Sequence, residues 1–342
     1  MFGGGHGCRY GPGSPVFTLR FDMRSPQGGA PTPELYRTAL DMCAWAETRG
    51  GVLVVLSEHH GTEDGHLPSP LILASAIAAR TTTLNVLIAA VVLPLYHPVR
   101  LAEDMAVLDN LSGGRVHYVF GIGHRAEEYE HIGVDVRRRG RIADENLDLL
   151  LRLLAGDPVD VDGRRVHVTP IPVTAGGPRI MIAGGSVAAA RRAGRHGLGF
   201  IAQTNAPGLA DAFEAASRDH GHQPGPAQFP EPGSPTAVFV ADDLETAWAE
   251  IGPYLLHDAR MAAAYRHDDD SVASITRART VEELRAASSP YAVLTEDEAA
   301  DRIRGGKTLP LHPLCGGMPS ELAWPYLERA AAAVSAVRAA AP

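Results

Sequence analysis

A (β/α)8 barrel is the fold this sequence predicts, and three observations predict it. Strand and helix patterns alternate about eight times along the 342 residues. No shift in composition divides the chain. Apolar runs such as Val52 to Leu56 are continuous, as in parallel strands covered on both faces.

The elements follow in order. Val16 to Asp22 alternates and is rich in β-formers, which reads as a first strand. Thr32 is placed to cap a helix, with Pro33 at its first position and Glu34 in its first turn. Leu35, Ala39, Met42, Cys43 and Ala46 recur at helical spacing, and Gly50 stops the run. Val52 to Leu56 is the second strand. Ser69-Pro70 opens a helix to Arg80, Asn85 to Leu93 is the third strand, and Pro98 starts a helix that ends before Gly113-Gly114. Val116 to Phe120 is the fourth strand, followed by a helix from Arg141 to Leu154 and an irregular Gly/Pro passage from Gly156 to Pro178. Strands at Ile180 to Ala183, Phe200 to Ala202 and Ala237 to Val240 precede helices at Ser186 to His196, Leu209 to His220 and Asp243 to Leu256. Thr308 to Leu311 is the eighth strand, and a last helix closes the pattern, in which Pro325 is expected to cause a kink or mark the true start. Residues 1–15 read as a flexible leader and 16–338 as one barrel domain. The polar stretch 258–290, with Asp268-Asp269-Asp270, is expected as an inserted lid; its other reading is a solvated loop with short helices.

Bulk properties narrow the function. The formal net charge of −9 argues against nucleic acid or an anionic membrane as partner. The apolar run Val86 to Leu95 is too short to span a bilayer. The cysteines Cys8, Cys43 and Cys315 are far apart and odd in number, so a reducing cytoplasm is the expected compartment.

Chemistry is expected where strands end, because ligands bind parallel sheets and barrels at the carboxyl ends. Glu58-His59-His60 follows the second strand. Adjacent histidines there point to opposite faces, so they do not serve one metal, and no metal is expected. A histidine there has two readings: a hydrogen-bonded structural role, or acid–base work, which suits that end because imidazole titrates near neutrality. Gly121-Ile122-Gly123-His124 follows the fourth strand and means a tight turn or close backbone approach to a ligand, rather than a dinucleotide site, which would follow the first strand of its unit. Ala183-Gly184-Gly185-Ser186 opens a helix. It is either a phosphate cradle of backbone N–H groups or an ordinary turn capped by Ser186. Cys315 reads as a buried inert thiol.

Taken together, Ser57-Glu58-His59-His60, Leu84-Asn85-Val86 through Ala89-Ala90-Val91-Val92-Leu93-Pro94, His97-Pro98-Val99-Arg100-Leu101-Ala102-Glu103-Asp104, Leu108-Asp109-Asn110-Leu111-Ser112-Gly113-Gly114-Arg115, Gly121-Ile122-Gly123, Ile132-Gly133-Val134-Asp135 and Ala183-Gly184-Gly185-Ser186 stand in an order that resembles the bacterial luciferase-like flavin-dependent monooxygenases. The resemblance implies a (β/α)8 barrel binding reduced FMN at the carboxyl face, with O2 and a small organic substrate as reactants. It further implies a separate flavin reductase and a homodimer. His59 inherits the position next to the reactive carbon of the flavin, hence acid–base catalysis. Ala89-Ala90 inherits a non-proline cis peptide under the ring. Gly123, His124, Gly184, Gly185 and Ser186 inherit the ring edge and phosphate tail. This chain departs from luciferase in having Gly123 for the reactive cysteine, His124 for the phosphate-gripping arginine, and Gly184 and Gly185 for acidic and serine contacts, so emission of light is not implied and Arg125 or backbone N–H groups take over the phosphate. Part of the family moves hydride with a deazaflavin and shows Asp-His where this chain has Glu58-His59, so FMN is the first expectation and deazaflavin the second. A non-catalytic flavin-binding protein is a third.

Overall fold

The computed structural model describes residues 16–266, 272, 275–287 and 290–340; the expected leader and Asp268-Asp269-Asp270 lie outside them. The described elements are β1 (Phe17–Phe21), α1 (Thr32–Glu47), β2 (Gly51–Leu56), α2 (Pro70–Arg80), β3 (Asn85–Val92), α3 (Pro98–Ser112), β4 (Val116–Gly121), α4 (Ala126–Ile132) and α5 (Arg139–Leu154). They continue with β5 (Val159–Val161), β6 (Arg164–Val166), β7 (Ile180–Gly184), α6 (Val187–Arg195), β8 (Gly199–Ala202), α7 (Leu209–Asp219), β9 (Ala227–Gln228) and β10 (Ala237–Val240). The last are α8 (Leu244–Ala264), α9 (Val281–Ala286), β11 (Tyr291–Leu294), α10 (Glu296–Arg304), β12 (Leu309–Leu311) and α11 (Ser320–Ala339).

One parallel sheet runs in the order β11-β10-β12-β1-β2-β3-β4-β7-β8-β9. The eight expected strands are β1, β2, β3, β4, β7, β8, β10 and β12. β1 lies between β2 and β12, with Leu19 opposite both Val54 and Leu311, so the first and eighth strands are neighbours as the barrel requires. No ladder joins β9 to β11 among the described residues.

The period-two alternation of the strands separates two layers. Phe17, Leu19, Phe21, Val54, Leu56, Val86, Ile88, Tyr118 and Phe120 face the helices and are fully buried. Leu53, Leu87, Val119 and Met181 fill the barrel interior, with Val55, Ala89, Ala90, Ala183 and Ile201 packed on them.

Polar side chains fix the joints between units. The Glu47 carboxylate, at the end of α1, accepts the backbone N–H groups of Thr82 (2.7 Å), Thr83 and Leu84 (2.8 Å) at the entry to β3. Arg115 donates to the carbonyl oxygens of Ala78 (2.9 Å), Thr81 (3.0 Å), Leu84 (2.7 Å) and Ser112 (2.8 Å), which satisfies the carboxyl end of α2. Gly113 and Gly114 reach β4 through positive φ angles of 65° and 80°. The Leu108–Arg115 motif is therefore a structural joint.

Several elements differ from expectation. α1 begins at Thr32 after Pro31, with no side-chain cap, because Pro31 and Pro33 preset the first turn. The antiparallel hairpin β5–β6 occupies part of the passage expected to be irregular, and α4 forms between the fourth strand and the helix after it, where the pattern assigns no element. The segment 258–290 opens as helix: α8 continues to Ala264 because Trp248, Ile251, Leu255 and Ala259 keep a buried stripe, and Asp258 is buried on it. β11 and α10 fill the stretch before β12, and α11 runs through Pro325 without interruption from Ser320. No described helix is long and apolar enough to cross a membrane.

Candidate active site

The residues expected to do chemistry lie along the carboxyl ends of β2, β3, β4 and β7. Glu58, immediately past β2, is fully buried. Its Oε1 holds His60 Nε2 at 2.6 Å, and its Oε2 accepts the Val92 N–H at 3.1 Å. That bridge ties the end of β2 to the end of β3. The hydrogen bond to Glu58, acting against burial, raises the pKa of His60 above the ordinary imidazole value. His60 is thus a bonded wall residue, while His59 turns the other way, as alternation requires.

His59 meets a carboxylate that sequence reasoning missed. Its Nδ1 lies 2.7 Å from Glu128 Oε1, and the same oxygen accepts the His60 N–H (3.1 Å) and Arg125 Nη1 (3.3 Å). Glu128 is fully buried. Burial alone would raise its pKa, but the bond and charge of His59, the His60 N–H and Arg125 outweigh it and hold the carboxyl low. An ionised Glu128 fixes the proton on Nδ1 and leaves Nε2 of His59 for proton exchange. The His59 ring packs near His66 (4.6 Å between centroids), Tyr265 (5.0 Å) and His124 (5.9 Å). His66 bonds Ser57 Oγ through Nε2 at 2.9 Å, and burial drives its pKa well below the imidazole norm.

A shelf of small residues adjoins this cluster. Ala89 and Ala90, joined by a cis peptide bond, lie two residues before the end of β3; Gly121 ends β4 and Gly123 follows it; Ala183 and Gly184 end β7 and Gly185 follows. All are part-exposed. A Cβ on Gly121 would sit 3.4 Å from that of Ala90, and one on Gly123 only 2.8 Å from Val92 Cγ1. The absent side chains leave a low surface that suits a flat ring. Ser186 caps α6, its Oγ accepting the Ala189 N–H at 3.3 Å, and the N–H groups ahead of Ala189 have no partner within the helix. His124 Nε2 is buried with no hydrogen-bond partner. Burial, with the charge of Arg266, pushes the pKa of His124 down to about 3, so it offers a neutral ring and not the cation it replaces. Arg125 is committed elsewhere, to the His60 carbonyl, to Glu128 and to the face of Tyr265 at 4.1 Å. The shelf and the α6 terminus therefore fit a flavin with its phosphate held by backbone donors.

Beside His59 opens a cavity of about 120 Å3. Its far wall is built on Arg24, another residue sequence reasoning passed over. Arg24 is 2% exposed and binds Asp64 (2.6 Å), Asp258 (3.2 Å), Asp22 (3.4 Å) and the Tyr265 hydroxyl (3.1 Å). The Tyr291 hydroxyl donates to the other oxygen of Asp258 at 2.6 Å, and His312 Nε2 lies 3.4 Å from Asp22. Asp258, His312 and Cys315 bring one ligand atom each within 4.8 Å of one another. Arg24 already occupies that carboxylate, and burial raises the Cys315 thiol far above its ordinary value. The trio reads as polar packing.

Comparison with known proteins agrees with this geometry. The family described as luciferase-like monooxygenase matches residues 17–310. The alkanal monooxygenase alpha chain of Photorhabdus luminescens is 28% identical over 187 residues, 52% of this chain and 52% of that one. Alignments to the first curated relatives span about half or less of their length. The crystal structure of monooxygenase RslO1 from Streptomyces bottropensis superposes with a TM-score of 0.72 at 23% identity, covering 94% of this chain and 99% of that one. The oxygenating constituent of 3,6-diketocamphane monooxygenase from Pseudomonas putida, in complex with FMN, gives a TM-score of 0.65 at 16% identity, with 94% and 98% covered. At these identities the structural likeness is one of fold.

Proposed function

The chain belongs to the luciferase-like monooxygenases, and from that premise we propose that it is an FMN-dependent oxygenase acting on a small organic substrate with O2, its FMN reduced by a separate protein. One observation carries the reading: His59, fixed through Nδ1 by buried Glu128, stands at the edge of a shelf of small residues. A structural relative of this fold is described in complex with FMN.

Reduced FMN, when bound, supplies the electrons that activate oxygen and the ring that carries it to the substrate. Ala89, Ala90, Gly121 and Gly123 would hold the ring by offering flat backbone and methyl surface. Gly184, Gly185 and Ser186, in the turn that leads into α6, would hold the phosphate through backbone N–H groups, beside the helix end whose dipole favours an anion. His124 closes one side as a neutral polar contact. His59 holds or moves a proton at Nε2, and Glu128 keeps that nitrogen in the required tautomer by binding the other. The aromatic rings of Tyr265 and Tyr291 limit water in the adjoining cavity, which protects reactive species from hydrolysis and decay.

Two measurements test the reading. Flavin fluorescence during titration of the purified chain should show saturable micromolar FMN binding. Micromolar binding of a deazaflavin with none for FMN would instead favour hydride transfer. Stopped-flow mixing of the FMNH2-loaded chain with oxygen should show a proton-dependent step that slows roughly 10²- to 10⁴-fold in His59→Gln, with FMN affinity retained. Wild-type kinetics in that variant would remove His59 from the chemistry. Oxygen consumption no faster than free flavin, despite tight binding, would make the chain a flavin carrier.

A further inference from the structure

A second cation borders the cavity beside His59, and unlike Arg24 it is uncommitted. Phe17, Leu19 and Phe21 point to the helices, so alternation along β1 sends Arg20 to the barrel interior, where it lines the cavity with Thr236, Tyr265, Tyr291 and His312. Arg20 is half-buried. Its guanidinium makes no hydrogen bond and no ion pair with the described residues. The nearby carboxylates are already engaged. Asp258 gives one oxygen to Arg24 Nε and the other to the Tyr291 hydroxyl, and Asp22 binds Arg24 and faces His312. A guanidinium stays charged at any working pH and presents planar, paired donors matched to a carboxylate. Held without a partner at the wall of a cavity, it is a built half of such a pair.

We infer that Arg20 anchors a carboxylate on the substrate, so that the chain acts on compact organic acids, aromatic ones included, because Tyr265, Tyr291 and His59 border the same space. The inference rests on this cavity being the substrate site of the proposed oxygenase. Strand order supports the division of labour. β12 and β1 lie on one side of β2, and β3, β4 and β7 with their small-residue shelf lie on the other. His59 follows β2 and stands between them. An acid held by Arg20 therefore directs its remaining atoms toward His59 and the shelf. The competing account is that Arg20 only balances the surplus negative charge around Arg24.

The experiment is calorimetric titration of the full chain with benzoate and with its neutral isostere benzamide, run with and without FMN. The expected result is benzoate preferred by about tenfold or more. The preference falls to within about twofold in Arg20→Met and is partly kept in Arg20→Lys, which preserves charge but not the paired donors. Equal binding of the two probes to the wild type, no benzoate binding at millimolar concentration, or a full preference in Arg20→Met overturns the inference. If Arg20→Met does not fold, the wild-type and Arg20→Lys titrations decide it in the same sense. FMN affinity is read separately, so loss of flavin binding and loss of acid selectivity are distinct failures.

Discussion

Replacing Arg24 by Met removes the charge at the centre of a buried network while roughly keeping side-chain bulk. Three carboxylates lose their shared partner: Asp22 at 1% exposure, Asp64 at 5% and Asp258 at 8%. Each keeps another side-chain contact, from His312, His257 and Tyr291 respectively, and Asp22 also keeps the backbone N–H of residue 24. Breaking one buried pair by deleting a single partner costs about 3–5 kcal/mol. The surviving contacts place the expected loss near the lower figure, about 3 kcal/mol, a large share of a typical total of roughly 5–15 kcal/mol. The sign of the pH dependence follows from the carboxyls. Burial opposes ionisation of Asp22 and Asp64, but His312 and Arg24 for the first, and His257 and Arg24 for the second, hold both below the ordinary range. Stability from such groups is full above the unfolded value of about 3.9 and is lost as pH falls through the lower folded values. Without Arg24 the folded carboxyls titrate higher. The difference between variant and wild type should therefore be full near neutrality and shrink as the pH falls from about 4 toward the folded value of Asp64, about 2. Urea unfolding followed by circular dichroism across that range measures it. A loss below about 1 kcal/mol at neutral pH, or one that does not change with pH, would refute the account of Arg24 as the charge that holds this wall together.

Other outcomes follow from the same structure. Glu47→Gln should cost about 1.5–3 kcal/mol in urea unfolding at neutral pH, because a charged acceptor of backbone N–H groups is lost. Burial opposes ionisation of Glu47, but the N–H groups of Thr83, Leu84 and Thr82 hold its pKa down, so the deficit should fade as pH falls below about 4.3; a constant deficit would mean that shape, not charge, matters. Gly184→Ala places a Cβ 2.4 Å from that of Ala189 and should cost about 1–3 kcal/mol. Adding Ala189→Gly should return part of that, and strict additivity in the double-mutant cycle would argue against the clash. Cys43 and Cys315 are fully buried and burial raises both thiols, so neither should be alkylated by iodoacetamide until urea unfolds the chain; peptide mapping that finds either labelled in the native state would contradict their burial.

The sequence carried the strand ends well and the long-range partners poorly. Glu58-His59-His60 could be set at the carboxyl end of β2 because a continuous apolar run stops there, and alternation correctly sent the two histidines to different sides. Glu128 escaped because α4 is seven residues long, too short to show a helical period, and nothing local distinguishes it from Glu127. Arg24 escaped for a similar reason: its partners Asp64 and Asp258 come from the loop after β2 and from α8, and no pattern within one element encodes such a meeting. β11 and α10 were legible and overlooked. Thr295 and Glu298 carry the T-x-x-E signature that begins a helix, and the structure shows both halves of that capping box. The turn at Ser186 was read with both outcomes open, and the cap is present.

The placement of β1 between β2 and β12 has a bearing on biosynthesis. Strands β1 to β4 pair with their sequence neighbours and can zip together as they leave the ribosome. Leu19, however, must wait for Leu311. A nascent chain halted before Tyr291 would own Arg20, His59 and the glycine-rich ledge, yet lack the opposite bank supplied by Tyr291 and His312. Retention of a small acid by stalled chains of increasing length would thus act as a gauge of completion, silent through most of translation and switching on only when the final strand docks.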